Sequence, residues 1–131
     1  MRDKHGENTM EQLARQYHDF QNAVGQGASL ADITGTVLGL FSPAFEKIAN
    51  GAVLVASRDA LAQQMCEVRG FAGSWRVIDK PTVASACGTQ CVLRFILKTE
   101  KAGAFEVMAH LLSRDGVHID RIDEIYYQIP G

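Results

Sequence analysis

Only three cysteines occur in this chain, Cys66, Cys87 and Cys91. An odd number argues against a disulfide framework. Cys87 and Cys91 are four apart, which is not C-x-x-C, and no histidine stands at zinc-finger spacing from them. They read as small buried or half-buried thiols. No apolar run reaches the ~20 residues of a membrane span. The stretch Met1 to Thr9 is polar and carries no apolar signal-peptide core, so a cytoplasmic location is the expectation. Charge of one sign is lacking too: the formal net charge is −2. Without a basic excess there is no footprint for nucleic acid. The chain also has no phosphate loop, no G-x-S-x-G elbow and no H-E-x-x-H. Cofactor-dependent redox chemistry and serine hydrolysis are not expected, and no cofactor or metal is assigned.

What is present suits one domain. The 131 residues are 47% hydrophobic and 21% charged, ordinary values for a globular chain. A chain this long buries roughly 70% of its unfolded surface, enough for a core without staples.

Residues 1–9 read as a disordered tail and 10–131 as the domain. Thr9 opens a helix, with Gln12 as capping-box partner. Met10, Leu13, Tyr17, Phe20 and Val24 recur at spacings of three and four, one face of an amphipathic helix. Ser29 caps a second helix through Leu40 and Phe41. Its Gly35 and Gly39 cost helix stability and imply close approach of another element. Pro43 then breaks the helix and starts a short turn through Phe45 and Ile48. Asn50-Gly51 turns into a short strand, Ala52 to Val55. Ser57 caps a third helix, whose buried stripe is Leu61, Met65, Val68 and Ala72.

Strands dominate the rest. Trp75 begins one that Pro81 interrupts, as expected of an edge strand or a bulge. Gln90–Thr99, Ala104–Ser113 and Val117–Ile129 form three more. Asp115-Gly116 between the last two is a strong hairpin signal. Helices cluster first and strands last, which is an α+β order.

That order resembles the nuclear transport factor 2-like, or SnoaL-like, superfamily. The resemblance is carried by Gln16-Tyr17 to Asn22, Leu40-Phe41, Ile48-Ala49-Asn50-Gly51 and Ser57 to Leu61. Glu106-Val107-Met108, Asp115-Gly116, Ile119, Ile122 and Tyr126-Tyr127 add to it. It implies three helices packed in a strongly curved, mostly antiparallel sheet, a cone with a pocket at its open end. It also implies a homodimer through the outer sheet face. In ketosteroid isomerases of this superfamily, a first-helix tyrosine and a late-strand acid share an oxyanion, and a separate carboxylate is the base. By motif position Tyr17 matches the tyrosine and Glu106 the late-strand acid. The base position falls at Ala49 or Asn50, neither of which takes up a proton, so steroid isomerase activity is not expected. Membership of a superfamily does not fix function.

Glu106, Met108, His110 and Leu112 alternate onto one sheet face, and Phe105, Val107, Ala109 and Leu111 onto the other. By burial alone the second, apolar face should pack on the helices. The resemblance instead places the mixed face around the pocket and the apolar face against a partner, and we adopt that assignment. A two-residue turn at Asp115-Gly116 sets His110 opposite Arg121; a one-residue bulge sets it opposite Ile122 and sends Glu124 and Tyr126 to the pocket. The bulged register makes His110 and Glu124 either an acid–base pair or a structural pair. Candidate catalytic residues are therefore His110, Glu106, Glu124 and Tyr17. Candidate ligand-binding residues are Tyr17, Trp75, Met108, Ile122 and Tyr126. Arg94 fits a cross-strand salt bridge better than a ligand site. His118 with Asp120 lacks a third metal ligand. The expected ligand is a small apolar molecule with a polar handle, handled by metal-free acid–base chemistry (isomerisation, dehydration or hydrolysis) if there is turnover. The competing reading is a non-catalytic oligomerisation or accessory domain.

Overall fold

The computed structural model describes residues 9–78 and 82–130. The expected tail, apart from Thr9, and the break at Pro81 lie outside them. Three helices come first: α1 (Thr9–Gly25), α2 (Leu30–Leu40) and α3 (Arg58–Ala72). The strands are β1 (Phe41–Ala49), β2 (Ala52–Val55), β3 (Trp75–Val77), β4 (Thr82–Cys87), β5 (Gln90–Thr99), β6 (Ala104–Leu112) and β7 (Ile119–Ile129). They join one strongly curved mixed sheet in the order β2-β1-β7-β6-β5-β3, with β4 also on β5. This is the α+β fold the sequence implied.

The helix signals hold where they carry a hydrogen bond. Ser29 Oγ accepts from the Asp32 amide at 3.1 Å and starts α2. Helix α1 ends against α3: Arg69 donates to the carbonyls of Val24 and Ala28, both at 2.8 Å. A cation there answers the negative end of the α1 dipole. Tyr17 stacks on Phe20, and Phe41 meets Tyr17, Phe20 and Phe45 edge-on, an aromatic series through the core. Two helix details differ from expectation. Val68 is 38% exposed rather than buried. Gly35 and Gly39 have nothing near them that a Cβ would meet.

The turn expected after Pro43 is instead part of β1, a nine-residue strand. Strand β1 runs parallel to β7, and the ladder skips from Phe41↔Ile119 to Glu46↔Arg121. Pro43 falls in that skip, where its missing N–H costs no ladder bond. Strands β3 and β4 lie end to end along the same side of β5, so the interrupted strand is an edge.

The sheet faces correct a second expectation. Val107, Ala109 and Leu111 are 5% exposed or less and pack on the helices. Met108 on the other face is 44% exposed. The apolar face is thus the concave one, as burial alone demands, and the mixed face is outside. The β6–β7 connection is longer than either turn considered and sets His110 opposite Asp123 and Ala109 opposite Glu124. Asp115 organises it by accepting from the amides of Val117 and His118 at 2.8 Å each.

Candidate functional site

A cavity of about 600 Å³ opens between α3 and the concave sheet face, within the usual range for small-molecule sites. Its apolar wall comes from Met65, Trp75, Phe95, Leu97, Phe105 and Val107. Alternation along β5 and β6 places four of these inward, and α3 supplies Met65. Trp75 is anchored by its indole N–H, which donates to the Gln21 carbonyl at 2.9 Å. Phe71, 79% exposed, and Tyr126, 40% exposed, stand at the open side.

One wall is polar. Gln21, Lys47 and Glu124 line the cavity and are all below 10% exposed. Behind them stands Tyr17, 1% exposed. Gln21 Nε2 donates to the Tyr17 hydroxyl at 2.8 Å, and that hydroxyl donates to Glu124 Oε2 at 3.4 Å. Lys47 Nζ lies 3.7 Å from Glu124 Oε1. Two groups, Tyr17 from α1 and Lys47 from β1, thus meet the one carboxylate on β7, and Gln21 braces Tyr17. Burial, and then the Glu124 charge, push the Tyr17 hydroxyl well above its ordinary pKa, while the Gln21 bond pulls the other way. Tyr17 therefore holds its proton and serves as a donor. Beside the cluster, Gln64 lines the cavity with a buried Oε1 that has no hydrogen-bond partner among the described residues.

The structure sorts the residues expected from sequence. Trp75, Glu124 and Tyr126 line the cavity. Tyr17 supports Glu124 from behind instead of facing a ligand. Ile122 is fully buried in the core and is not among the residues lining the cavity. Glu106, Met108 and His110 are on the outer face, because Val107 and Ala109 between them point inward. His110 bonds Gln90 at 2.8 Å, and the sheet separates it from Glu124, so the two form no acid–base pair. Glu106 pairs with Arg94 and Tyr127. The Tyr127 hydroxyl, then Arg94, hold its carboxyl below the usual range. Arg94 thus makes the cross-strand salt bridge expected of it. Ala49 is buried on β1, and Asn50 clasps the Tyr126 backbone at 3.0 and 3.2 Å. His118 pairs with Asp115 at 2.9 Å rather than with Asp120. Among the described residues no three metal-binding side chains gather.

Sequence reasoning missed Lys47, Gln21 and Gln64. Lys47 carried a readable signal, the alternation Phe45, Lys47, Ala49, which reading Pro43 as the start of a turn hid. Gln21 lies one position beyond Phe20 on the buried stripe of α1, and its polarity kept it out of the apolar set.

No family model and no curated protein matches this chain. Solved structures do. A nuclear transport factor 2-like protein from Anabaena variabilis superposes with a TM-score of 0.74 at 13% identity, covering 98% of this chain and 97% of that one. A protein of the SnoaL-like family from Agrobacterium tumefaciens, provisionally described as an isomerase, gives 0.67 at 11% identity, over 91% and 97%. A Xanthomonas campestris protein provisionally described as a polyketide cyclase gives 0.64 at 14%, over 92% and 93%. No helix among the described residues is long and apolar enough to cross a membrane.

Proposed function

This chain has the nuclear transport factor 2-like, SnoaL-like fold, and from that premise we propose that its cavity binds a small apolar molecule through one polar handle and performs metal-free acid–base chemistry on it. One observation carries the reading: a buried carboxylate, Glu124, faces a mostly apolar cavity and is met there by the Lys47 side chain. Glu124 is the base, and Tyr17 orients it. Lys47 and Gln21 are the donors for an oxygen that gains charge. Such preorganised donors, themselves buried, act more strongly than they would in water. The base thus comes from β7, where the superfamily resemblance had looked to Ala49 or Asn50. The neighbours described as an isomerase and a cyclase are consistent with this class.

The test is proton exchange. The purified protein is incubated in D₂O with a panel of apolar ketones, and deuterium entering beside the carbonyl is followed by NMR. Exchange above background, lowered about 100-fold in Glu124→Gln, supports the proposal. Exchange equal in wild type and variant removes Glu124 as base. Ligand-induced stabilisation without exchange leaves a binding site that does no chemistry.

A second reading has its own observation. Val92, Met108, Ile125 and Tyr127 are 41–59% exposed on the outer sheet face. Contiguous exposed apolar surface marks a contact site, and we propose that two copies pair through it.

A further inference from the structure

We propose that Lys47 is a nucleophile that condenses with aldehydes or ketones bound in the cavity, forming an imine. This rests on the ligand-binding reading above and goes beyond its proton transfer. Lys47 is 5% exposed and opens onto a cavity whose other walls are mostly apolar. Such walls hold an apolar carbonyl compound by burying its surface, which keeps its carbonyl carbon beside Nζ. Its Nζ is not locked: Glu124 Oε1 stands 3.7 Å away, beyond hydrogen-bond length, so the amine is free to turn toward a ligand. Lysine condensation needs a nearby group that first takes a proton and later returns it, and Glu124 is placed for both. The cavity volume of about 600 Å³ leaves room for a carbonyl compound of ordinary metabolite size beside Nζ.

The steps balance. Glu124 accepts one proton from the ammonium. Nζ then bonds to the carbonyl carbon, and a proton moves from nitrogen to oxygen to give a carbinolamine. The carbinolamine C–O bond breaks as Glu124 returns its proton, and the oxygen leaves as water. Ammonium and carbonyl have become a protonated imine and water, and no oxidant or reductant is consumed. Tyr17 supports Glu124 throughout as a positioning residue.

The experiment is reductive trapping. The full chain is incubated with cinnamaldehyde, or with an apolar 1,3-diketone of similar size, and sodium cyanoborohydride. Adducts are counted by intact mass and placed by peptide mapping. Lys98 and Lys101, both exposed, serve as internal controls. The expected result is Lys47 labelled at least tenfold faster than either, with labelling lost in Lys47→Arg, which keeps the charge beside Glu124. Glu124→Gln should slow labelling at Lys47 and leave the controls unchanged. Equal labelling of all three lysines, or faster labelling of the exposed pair, overturns the proposal. A thermal-shift arm with the same probes and no reductant separates the two claims. Stabilisation without adduct at Lys47 refutes the imine and leaves the binding site standing. Neither stabilisation nor adduct for either probe removes the imine for this carbonyl class. The D₂O exchange panel then judges the binding site separately.

Discussion

Tyr17 shows how one side chain can be buried, polar and useful at once. Its hydroxyl receives from Gln21 and gives to Glu124, so neither polar neighbour is left unmet in the core. Tyr17→Phe removes both contacts and should cost about 1–3 kcal/mol at neutral pH, measured by urea unfolding. The pH dependence has a definite sign. The folded pKa is raised above the ordinary value of 10.0, so the unfolded chain loses this proton first. Its contribution is complete below about pH 10 and declines as pH rises toward the folded pKa. Wild type should therefore lose stability more steeply than Tyr17→Phe above pH 10. Parallel slopes would show that Tyr17 titrates as it does in the unfolded chain. Position 17 was legible from helical spacing; its partner was not, because nothing in one sequence says which strand residue will meet a helix 107 positions away.

Strand β1 is the element that completes the site. It presents Lys47 inward and pairs with β7 so that Ala49 lies beside Glu124. The Lys47–Glu124 pair is buried on both sides, where losing one partner strands a charge. Lys47→Met should cost roughly 3 kcal/mol, and Glu124→Gln on that background should recover most of it. Additive losses in the double variant would mean that the two side chains do not interact. The sequence concealed this element because Pro43 is a strong local breaker. Only the skipped ladder beside Ile119 makes a proline harmless there, and that is a tertiary fact. The β6–β7 loop hid the facing of Glu124 for a related reason. Asp-Gly correctly marked a reversal, but Asp115 gathers the amides of Val117 and His118 into a wider loop. The register it sets puts Glu124 on the inward face with Val107 and Ala109, whereas the bulged turn had put it on one face with His110.

At the scale of the whole molecule, the two sheet faces differ in burial, and β6 shows the division in adjacent residues. Val107 is 5% exposed and lines the cavity, whereas Met108 is 44% exposed on the outer face. The alternation was plain in the sequence, and burial alone assigned it correctly; the superfamily resemblance, applied to the wrong set of residues, reversed it. The patch around Met108 is apolar at Val92, Ile125 and Tyr127, yet Arg94 and Glu106 are paired within it. A paired charge inside an apolar surface can be covered without stranding an ion, and it penalises misaligned partners. Pairing of two copies should therefore yield to charge placed among the apolar residues. Met108→Glu with Ile125→Glu should convert a dimer to a monomer, read by light scattering behind size-exclusion chromatography. The thermal midpoint extrapolated to low concentration should change little, because both positions face outward. Val107→Glu is the counterpart: it buries an unpaired carboxylate in the concave face and should unfold the chain rather than dissociate it. A Met108→Glu, Ile125→Glu variant with the same mass in solution as wild type would show that the outer face is not where copies meet.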